Sequence, residues 1–233
     1  MDAKRSKIFS KLSKEITVAA KLGGEDIDAN SRLRLAVQNA KGQNMSKDVI
    51  ERAINKASKD TSSFEEMTFE GYGPGGIAVF VECLSDNNNR TVGNMRAIFA
   101  KHNGHLGTNG SVAYLFETKG IFIIPLSDDI DREEFELKMI DAGAEDMEEN
   151  DGIIEITTAL EDFGNVSKKL EDLGIEPESQ GLQRIPATTT VLDVEEAKKV
   201  IKLIEHLEED DDVQNVYHNL EFTPELEEAL NEE

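Results

Sequence analysis

The 233-residue sequence lacks the features that mark secreted and membrane proteins. It has one cysteine, Cys83, so no disulfide can form within the chain, and a reducing compartment is the expected location. No run of about 18 apolar residues is present, which argues against a membrane-spanning helix. Residues 1–5 also lack the apolar stretch of a secretory signal. We therefore expect a cytoplasmic protein without membrane association.

Patterns that indicate catalysis are scarce as well. The glycine-rich segment 71–76 is followed by Ile77 and Ala78, not by the Lys-Ser/Thr pair and helix of a phosphate-binding loop, so we interpret it as a tight turn. No serine stands in a strand–turn–helix elbow. Cys83 lies in an apolar run and is expected to be a buried, inert thiol. We predict that the protein is not an enzyme and has no catalytic residues.

Candidate metal ligands are few and poorly spaced. His102 and His105 have no cysteine or carboxylate cluster beside them. The acidic run 210–212 has Glu221 at the twelfth position, but Asn215 stands where a calcium loop needs glycine, so we expect a solvated helix end. The sequence therefore predicts neither a metal nor a cofactor.

Charge is distributed unevenly along the chain. The formal net charge is −23, yet residues 1–60 contain 13 lysines and arginines against 8 acidic residues. Residues 121–233 contain 8 against 34. Such asymmetry is typical of a basic binding module joined to an acidic body. The acidic part repels phosphate except where the basic module docks, so we expect DNA or RNA as the partner.

Residues 3–59 have the apolar periodicity of three helices. The first, from 3 to 22, places Ile8, Leu12 and Ile16 on one face, and two glycines at 23–24 end it. The second runs from about 28 to 40 and the third begins after Ser46. Lysines occupy the opposite side of the first helix and form a lysine stripe, consisting of Lys4, Lys7, Lys11, Lys14 and Lys21. Three short-linked amphipathic helices predict a small bundle.

From residue 64 onward the pattern alternates between strands and helices. Residues 121–185 have the order β-α-β-β-α-β of one ferredoxin-like unit. The preceding part is interpreted as strand 77–84, helix 90–103 and strand 111–118, and the following part as strand 188–194, helix 195–207 and strand 213–220. The two flanks together would form a second ferredoxin-like unit, interrupted by the first.

The predicted fold is therefore α+β: an N-terminal three-helix bundle plus two ferredoxin-like α/β domains, one inserted in the other. The predicted domains are the basic bundle at 1–63, a discontinuous α/β domain at 64–120 with 186–233, and an inserted acidic α/β domain at 121–185. The candidate nucleic-acid contacts are the lysine stripe and seven further cations of the bundle, namely Arg5, Arg32, Arg34, Lys41, Lys47, Arg52 and Lys56. Contacts of this kind provide affinity for phosphate and carry no sequence preference. A merely solvated face is the alternative interpretation of the stripe.

Seven segments, in order, resemble the YebC family. They are KIFSKL at 7–12, AAKLGG at 19–24, NSRLRLA at 30–36, FEGYGPGG at 69–76, DNNNRT at 86–91, GHLG at 104–107 and GSVAYLF at 110–116. The resemblance covers essentially the whole chain. It implies three domains, a helical bundle and two α/β domains with one inserted in the other.

The resemblance also carries functional expectations. The family is described as probable transcriptional regulators that bind DNA. Its mitochondrial relatives are translational activators of cytochrome c oxidase, and bacterial members have been tied to ribosomes stalled on proline-rich nascent chains. Family members usually begin with a further basic, aromatic-containing segment before the part that matches residues 2–5. Either the start of this sequence was mis-assigned or that segment is missing.

Three functions follow as hypotheses. The leading one is a transcriptional regulator whose basic bundle contacts DNA phosphates. The second is a translation factor that uses the same bundle on the ribosome or its RNA, for example at stalled proline-rich stretches. The third is an enzyme acting in a cleft between the α/β domains. The sequence leaves the oligomeric state and the target sequence open.

Overall fold

The computed structural model describes residues 2–59, 63–127 and 131–231, and their side chains from residue 5 onward. The chain forms two units, one combining Met1–Thr61 with Thr118–Gln183 and the other combining Ser62–Glu117 with Arg184–Glu233. The three predicted domain ranges stay a prediction beside this division. Among the described residues, no helix is both long and apolar enough to cross a membrane.

The first unit begins with the predicted bundle of three helices, α1 (Asp2–Gly23), α2 (Ser31–Gly42) and α3 (Lys47–Lys56). The apolar faces meet in a shared core around Ile16, Leu33 and Ile50. Asn30 joins α1 to α2, because its side chain accepts a hydrogen bond from the Leu33 N–H and donates to the carbonyl oxygens of Ala19 and Gly24. One buried amide therefore caps α2 and ties it to the end of α1.

The same unit contains most of the segment predicted as the inserted domain, which keeps that name below. Its elements are β4 (Phe116–Pro125), α5 (Arg132–Ala142), β5 (Ala144–Asn150), β6 (Ile153–Ala159), α6 (Phe163–Asp172) and β7 (Ser179–Pro186). The strand order is β5-β6-β4-β7. A turn at Asp151 and Gly152, both with positive φ, joins β5 to β6. Phe122, Met139 and Leu170 lie in the core between the sheet and the helices, so the predicted β-α-β-β-α-β unit is confirmed.

The second unit contains β1 (Glu65–Tyr72), β2 (Ala78–Ser85), α4 (Asn88–Lys101), β3 (His105–Leu106), α7 (Val194–Glu209), β8 (Val213–His218) and α8 (Pro224–Asn231). Its strand order is β3-β1-β2-β8. The two sheets have the same layout if β3, β1, β2 and β8 are placed on β5, β6, β4 and β7, respectively. They differ in connection, because β1 precedes β2 in the chain whereas its equivalent β6 follows β4.

Three details of the predicted second sheet differ from the structure. Strand β1 was not predicted, although its apolar residues Met67 and Phe69 alternate with polar residues as in a half-buried strand. The segment 111–118 contains a 3-10 turn at Ala113–Leu115 and becomes a strand only from Phe116. The segment 188–194 makes a single parallel bridge, between Thr190 and Leu220. The α+β class, the bundle and the two four-stranded sheets nevertheless confirm the predicted fold class.

The bundle contacts the inserted domain along β7, the edge strand of the inserted sheet. The Asn39 side chain donates to the Gln180 carbonyl oxygen at 2.8 Å and accepts from the Gln180 N–H at 2.9 Å. The amide thus pairs with the edge of β7 as a neighbouring strand would. Nearby, a Cβ on Gly42 would come within 2.0 Å of the Glu178 carbonyl oxygen. Backbone-to-backbone contact at Gly42 and the Asn39 amide therefore fix α2 on this edge.

We expect Asn39→Ala to loosen this contact. The substitution removes two hydrogen bonds at a partly buried position, each contributing about 0.5–1.5 kcal/mol, so the free energy of unfolding should fall by about 1–3 kcal/mol. Amide hydrogen exchange at Gln180 should accelerate in the same variant. Asn55→Ala is the matched control, since Asn55 is an exposed residue of α3. Unchanged protection at Gln180 would contradict the assigned role of Asn39.

In the second unit, Glu70 holds a loop against β1. Glu70 is 5% exposed, and its carboxylate accepts hydrogen bonds from the backbone N–H groups of Gly110, Val112 and Ala113 at 2.6, 2.8 and 2.8 Å. Burial alone raises the pKa of Glu70, but the three backbone hydrogen bonds and the positive charge of Arg184 outweigh it, so the pKa lies below its ordinary value. The ionised carboxylate therefore organises residues 110–113 into the observed turn.

We expect Glu70→Gln to lower the free energy of unfolding by about 2–3 kcal/mol near pH 7, because an amide cannot replace a carboxylate that accepts three hydrogen bonds. The folded-state pKa is depressed, so this stabilisation is complete above the unfolded pKa of about 4.3 and is lost as the pH falls through the folded value. Urea unfolding between pH 3 and 7 should show the two proteins converging at low pH. The exposed Glu161→Gln serves as control. A constant difference across that range would contradict the assignment.

Candidate nucleic-acid interface

The lysine stripe on α1 is more covered than the sequence predicts. Lys7, Lys11 and Lys14 are half-buried, and each takes part in an interaction within the protein. Val18, on the same side of the helix, is only 2% exposed and does not belong to the bundle core. This side of α1 is therefore partly covered by other parts of the chain, whereas the sequence interpretation assumes an open solvent face.

The ends of the stripe differ from its middle. Lys4 belongs to α1, but its side chain lies outside the described residues. Lys21, in the last turn of α1, is exposed. Arg5, next to the stripe, is exposed and places its guanidinium 5.3 Å from the centre of the Phe9 ring. This cation–π contact leaves the charge at the surface.

Two of the predicted arginines are used within the bundle. The guanidinium of Arg32 binds the Glu15 carboxylate with Nε–Oε1 and Nη2–Oε2 distances of 2.7 and 3.3 Å, and so links α2 to α1. Arg34 donates to the carbonyl oxygens of Ile27 and Asp28 and holds the α1–α2 loop. Both side chains stabilise the bundle geometry, which the sequence pattern does not reveal.

Four of the lysines predicted as contacts are exposed, and they lie mostly at helix ends. They are Lys21, Lys41, Lys47 and Lys56. Lys21, Lys41 and Lys56 each occupy the last turn of their helix, where a cation also interacts favourably with the helix dipole. Lys47 forms an exposed pair with Glu51 at 3.6 Å, a type of contact that contributes little. All four side chains are exposed to solvent, and Lys21 and Lys56 also take part in an interaction within the protein.

Arg52 is the remaining cation of the predicted set. It lies on the exposed side of α3, and its Nε donates to the Asp48 carbonyl oxygen at 3.1 Å. Lys56 lies one turn further along the same helix face. These two residues form the exposed basic edge of α3.

A surface pocket of about 490 Å³ lies where the bundle meets the inserted domain. Its lining includes one cation, Arg5, and one anion, Glu178, together with Gly42, Asn44 and Pro125. One charge of each sign gives no preference for a phosphate. The pocket lining therefore offers no cluster of cations for a phosphate group.

The glycine-rich segment has a packing role. Gly75 and Gly76 have φ values of +65° and +75°, and a Cβ on Gly75 would come within 2.7 Å of the Leu192 side chain. The left-handed conformation and the close contact both require glycine at position 75. The tight turn predicted from the sequence accounts for this segment.

The two histidines considered as metal ligands make separate contacts. His105, on β3, stacks on Tyr72 at 5.5 Å, whereas His102 Nε2 lies 2.6 Å from His206 Nδ1. Burial, followed by the charges of His206, Lys101 and Lys202, lowers the pKa of His102 and favours its neutral form. Within the described residues no group of three or more metal-ligating side chains is present. The absence of a metal stays a prediction.

The acidic run at 210–212 is not simply a solvated helix end. Asp212 is 3% exposed, and its carboxylate accepts hydrogen bonds from Arg90, Thr91 and Ser85. These contacts attach the start of α4 to the start of β8. The expectation of a solvated end is therefore wrong for Asp212. The sequence could not reveal this burial, because the partners of Asp212 lie more than 120 residues away in the chain.

Comparisons with known proteins agree along nearly the whole chain. Residues 1–60 match the model of the TACO1/YebC protein N-terminal domain, and residues 64–220 match that of the TACO1/YebC second and third domain. A "Probable transcriptional regulatory protein" of Amoebophilus asiaticus is 53% identical over 222 residues, covering 94% of this chain and 91% of that protein. Another of the same description from Geobacillus kaustophilus is 51% identical, with coverages of 94% and 91%.

A solved structure supports the same assignment. The crystal structure of a conserved hypothetical protein from Aquifex aeolicus superposes with a TM-score of 0.84 at 44% sequence identity, covering 95% of this chain and 92% of that one. Both family models, the curated relatives and this structure therefore lead to one conclusion: the chain belongs to the TACO1/YebC family.

Proposed function

We propose that this protein is a cytoplasmic transcriptional regulator that binds DNA through the helical bundle of α1–α3. The segregation of charge carries the proposal. Residues 1–60 hold five more cations than anions, whereas residues 61–233 contain 12 lysines and arginines against 40 acidic residues. Relatives that are about half identical bear the name "Probable transcriptional regulatory protein".

The acidic body determines how DNA approaches. Residues 118–183, which share a unit with the bundle, contain 5 lysines and arginines against 19 acidic residues. Phosphates are repelled by that surface and attracted by the bundle, so only approaches that lead with the bundle are favourable. The contact of Asn39 with β7 holds the bundle on this acidic neighbour. Non-specific coating of the body by nucleic acid is thereby disfavoured.

The twelve predicted cations have different parts in this proposal. Phosphate contact is assigned first to the exposed residues Arg5, Lys21, Lys41, Lys47, Arg52 and Lys56. The half-buried Lys7, Lys11 and Lys14 contribute to the positive potential of the bundle, and Lys4 stays a predicted contact. Arg32 and Arg34 act through the bundle geometry. The proposal involves no catalytic step, metal or cofactor.

We expect the quadruple variant Lys21→Gln, Lys41→Gln, Lys47→Gln and Lys56→Gln to bind duplex DNA of any sequence more weakly. Each lost phosphate contact should flatten the plot of log affinity against log salt by about 0.9, so the slope should change by up to about 3–4. Fluorescence anisotropy with a 30-base-pair duplex, titrated at several salt concentrations, measures both quantities. Stability should barely change, because all four side chains are exposed.

The matched control removes four exposed lysines from the acidic body by Lys101→Gln, Lys168→Gln, Lys199→Gln and Lys202→Gln. It changes the net charge by the same amount outside the bundle. Equal slopes in the two quadruple variants would refute a bundle-centred interface. Tight, bundle-dependent binding to ribosomes with no measurable binding to duplex DNA would instead reassign the interface to RNA.

A further inference from the structure

The outer face of α5, on the inserted domain, exposes aliphatic side chains. Phe135, Met139 and Ala142 point into the domain core. Leu137 and Ile140 lie on the opposite face, 65% and 54% exposed. They are three residues apart and therefore neighbours on the helix surface. This helix is thus apolar on two sides, although only one side is covered.

A third aliphatic residue lies at the same end of the helix. A Cβ on Gly143, which caps α5, would come within 2.6 Å of the Asp162 side chain. The tight turn that precedes Asp162 therefore lies against the C-terminus of α5, and it carries Leu160, which is 50% exposed. The exposed aliphatic residues thus extend from the middle of α5 to the adjoining turn.

Carboxylates flank these residues. Glu133 and Asp141 lie one turn before and one turn after Leu137, and Glu136 lies one turn before Ile140. All three are exposed and have no ion-pair partner within the described part of the chain. The two cations of α5 are both engaged, Arg132 with Glu149 at 2.9 Å and Lys138 with Glu134 at 2.6 Å. The face is therefore an apolar strip with an acidic margin.

We propose that this face docks a cationic, amphipathic helix of another protein. An aliphatic stripe on the partner would cover Leu137 and Ile140, as packed helices cover each other. Lysine or arginine beside that stripe would pair with Glu133, Glu136 and Asp141, as charged residues flank the seam of a coiled coil. The surface is independent of the DNA interface assigned to the bundle.

Charge excludes the other occupants. Nucleic acid and anionic lipid surfaces are repelled by the three carboxylates and by the excess of acidic residues in the domain. A second copy of this chain would meet the face through a two-fold contact, which brings identical patches together and places carboxylate against carboxylate. A cationic helix is the occupant that satisfies both the apolar strip and its margin.

The test uses the full-length protein and a synthetic 18-residue peptide of leucine and lysine with helical amphipathic spacing. We expect two-dimensional NMR to show shifts confined to α5 and residues 159–162. The double variant Leu137→Gln and Ile140→Gln should weaken binding at least about tenfold. Leu22→Gln with Val191→Gln is the matched control, because these side chains are 67% and 58% exposed elsewhere on the protein. That control should bind the peptide as the wild type does.

A peptide of the same composition with the stripe scrambled separates docking from simple charge attraction. The scrambled peptide should bind at least about tenfold more weakly. Equal affinity of the two peptides, equal affinity of the two double variants, or shifts outside α5 and residues 159–162 would each overturn the proposal. It would also be overturned by sedimentation equilibrium showing a dimer that Leu137→Gln with Ile140→Gln dissociates.

Discussion

Backbone polar groups that lie outside helices and sheets must still find partners, and this constraint shapes the whole structure. Three polar side chains meet it where the chain changes direction or meets another segment. Asn30 joins α1 to α2, Asn39 completes the edge of β7, and Glu70 collects three N–H groups of the loop at 110–113. The apolar cores hold each layer together, but these three residues decide how the layers connect. The hydrogen bonds of the Asn39 amide help to hold the basic bundle on β7.

The fold was largely predictable because helix periodicity and strand alternation were both clear. The bundle and the inserted domain follow the sequence pattern closely. Strand β1 escaped prediction because Glu65, Glu66 and Glu70 interrupt its apolar character, and Glu70 is buried only because a distant loop supplies its partners. The same loop explains why residues 111–115 form a turn and not the expected strand. Local pattern fails here because the deciding contacts are about 40 residues apart.

For the candidate interface, only the net positive charge of the bundle could be predicted from the sequence. Counting residues identified the basic bundle, but the count treats Arg32 and Lys41 alike. In the structure Arg32 is bound to Glu15, 17 residues earlier, whereas Lys41 is exposed at a helix end. The acidic run at 210–212 was expected to be solvated, but Asp212 is buried and bound to Arg90. Which charges face solvent depends on tertiary neighbours, and no spacing rule within one helix contains that information.

Gly42 gives the junction of bundle and inserted domain a property of its own. Even one methyl group there would collide with the Glu178 carbonyl oxygen, so close contact between the bundle and the inserted domain requires glycine at this position. Any larger residue would have to separate α2 from β7 or distort the end of α2. An alanine at position 42 is therefore a wedge that changes the junction without altering the charge of either part. A covalent tether between α2 and β7 would have the reverse effect. Comparing the tethered protein with the alanine variant would separate the contribution of junction rigidity to nucleic-acid binding from that of charge.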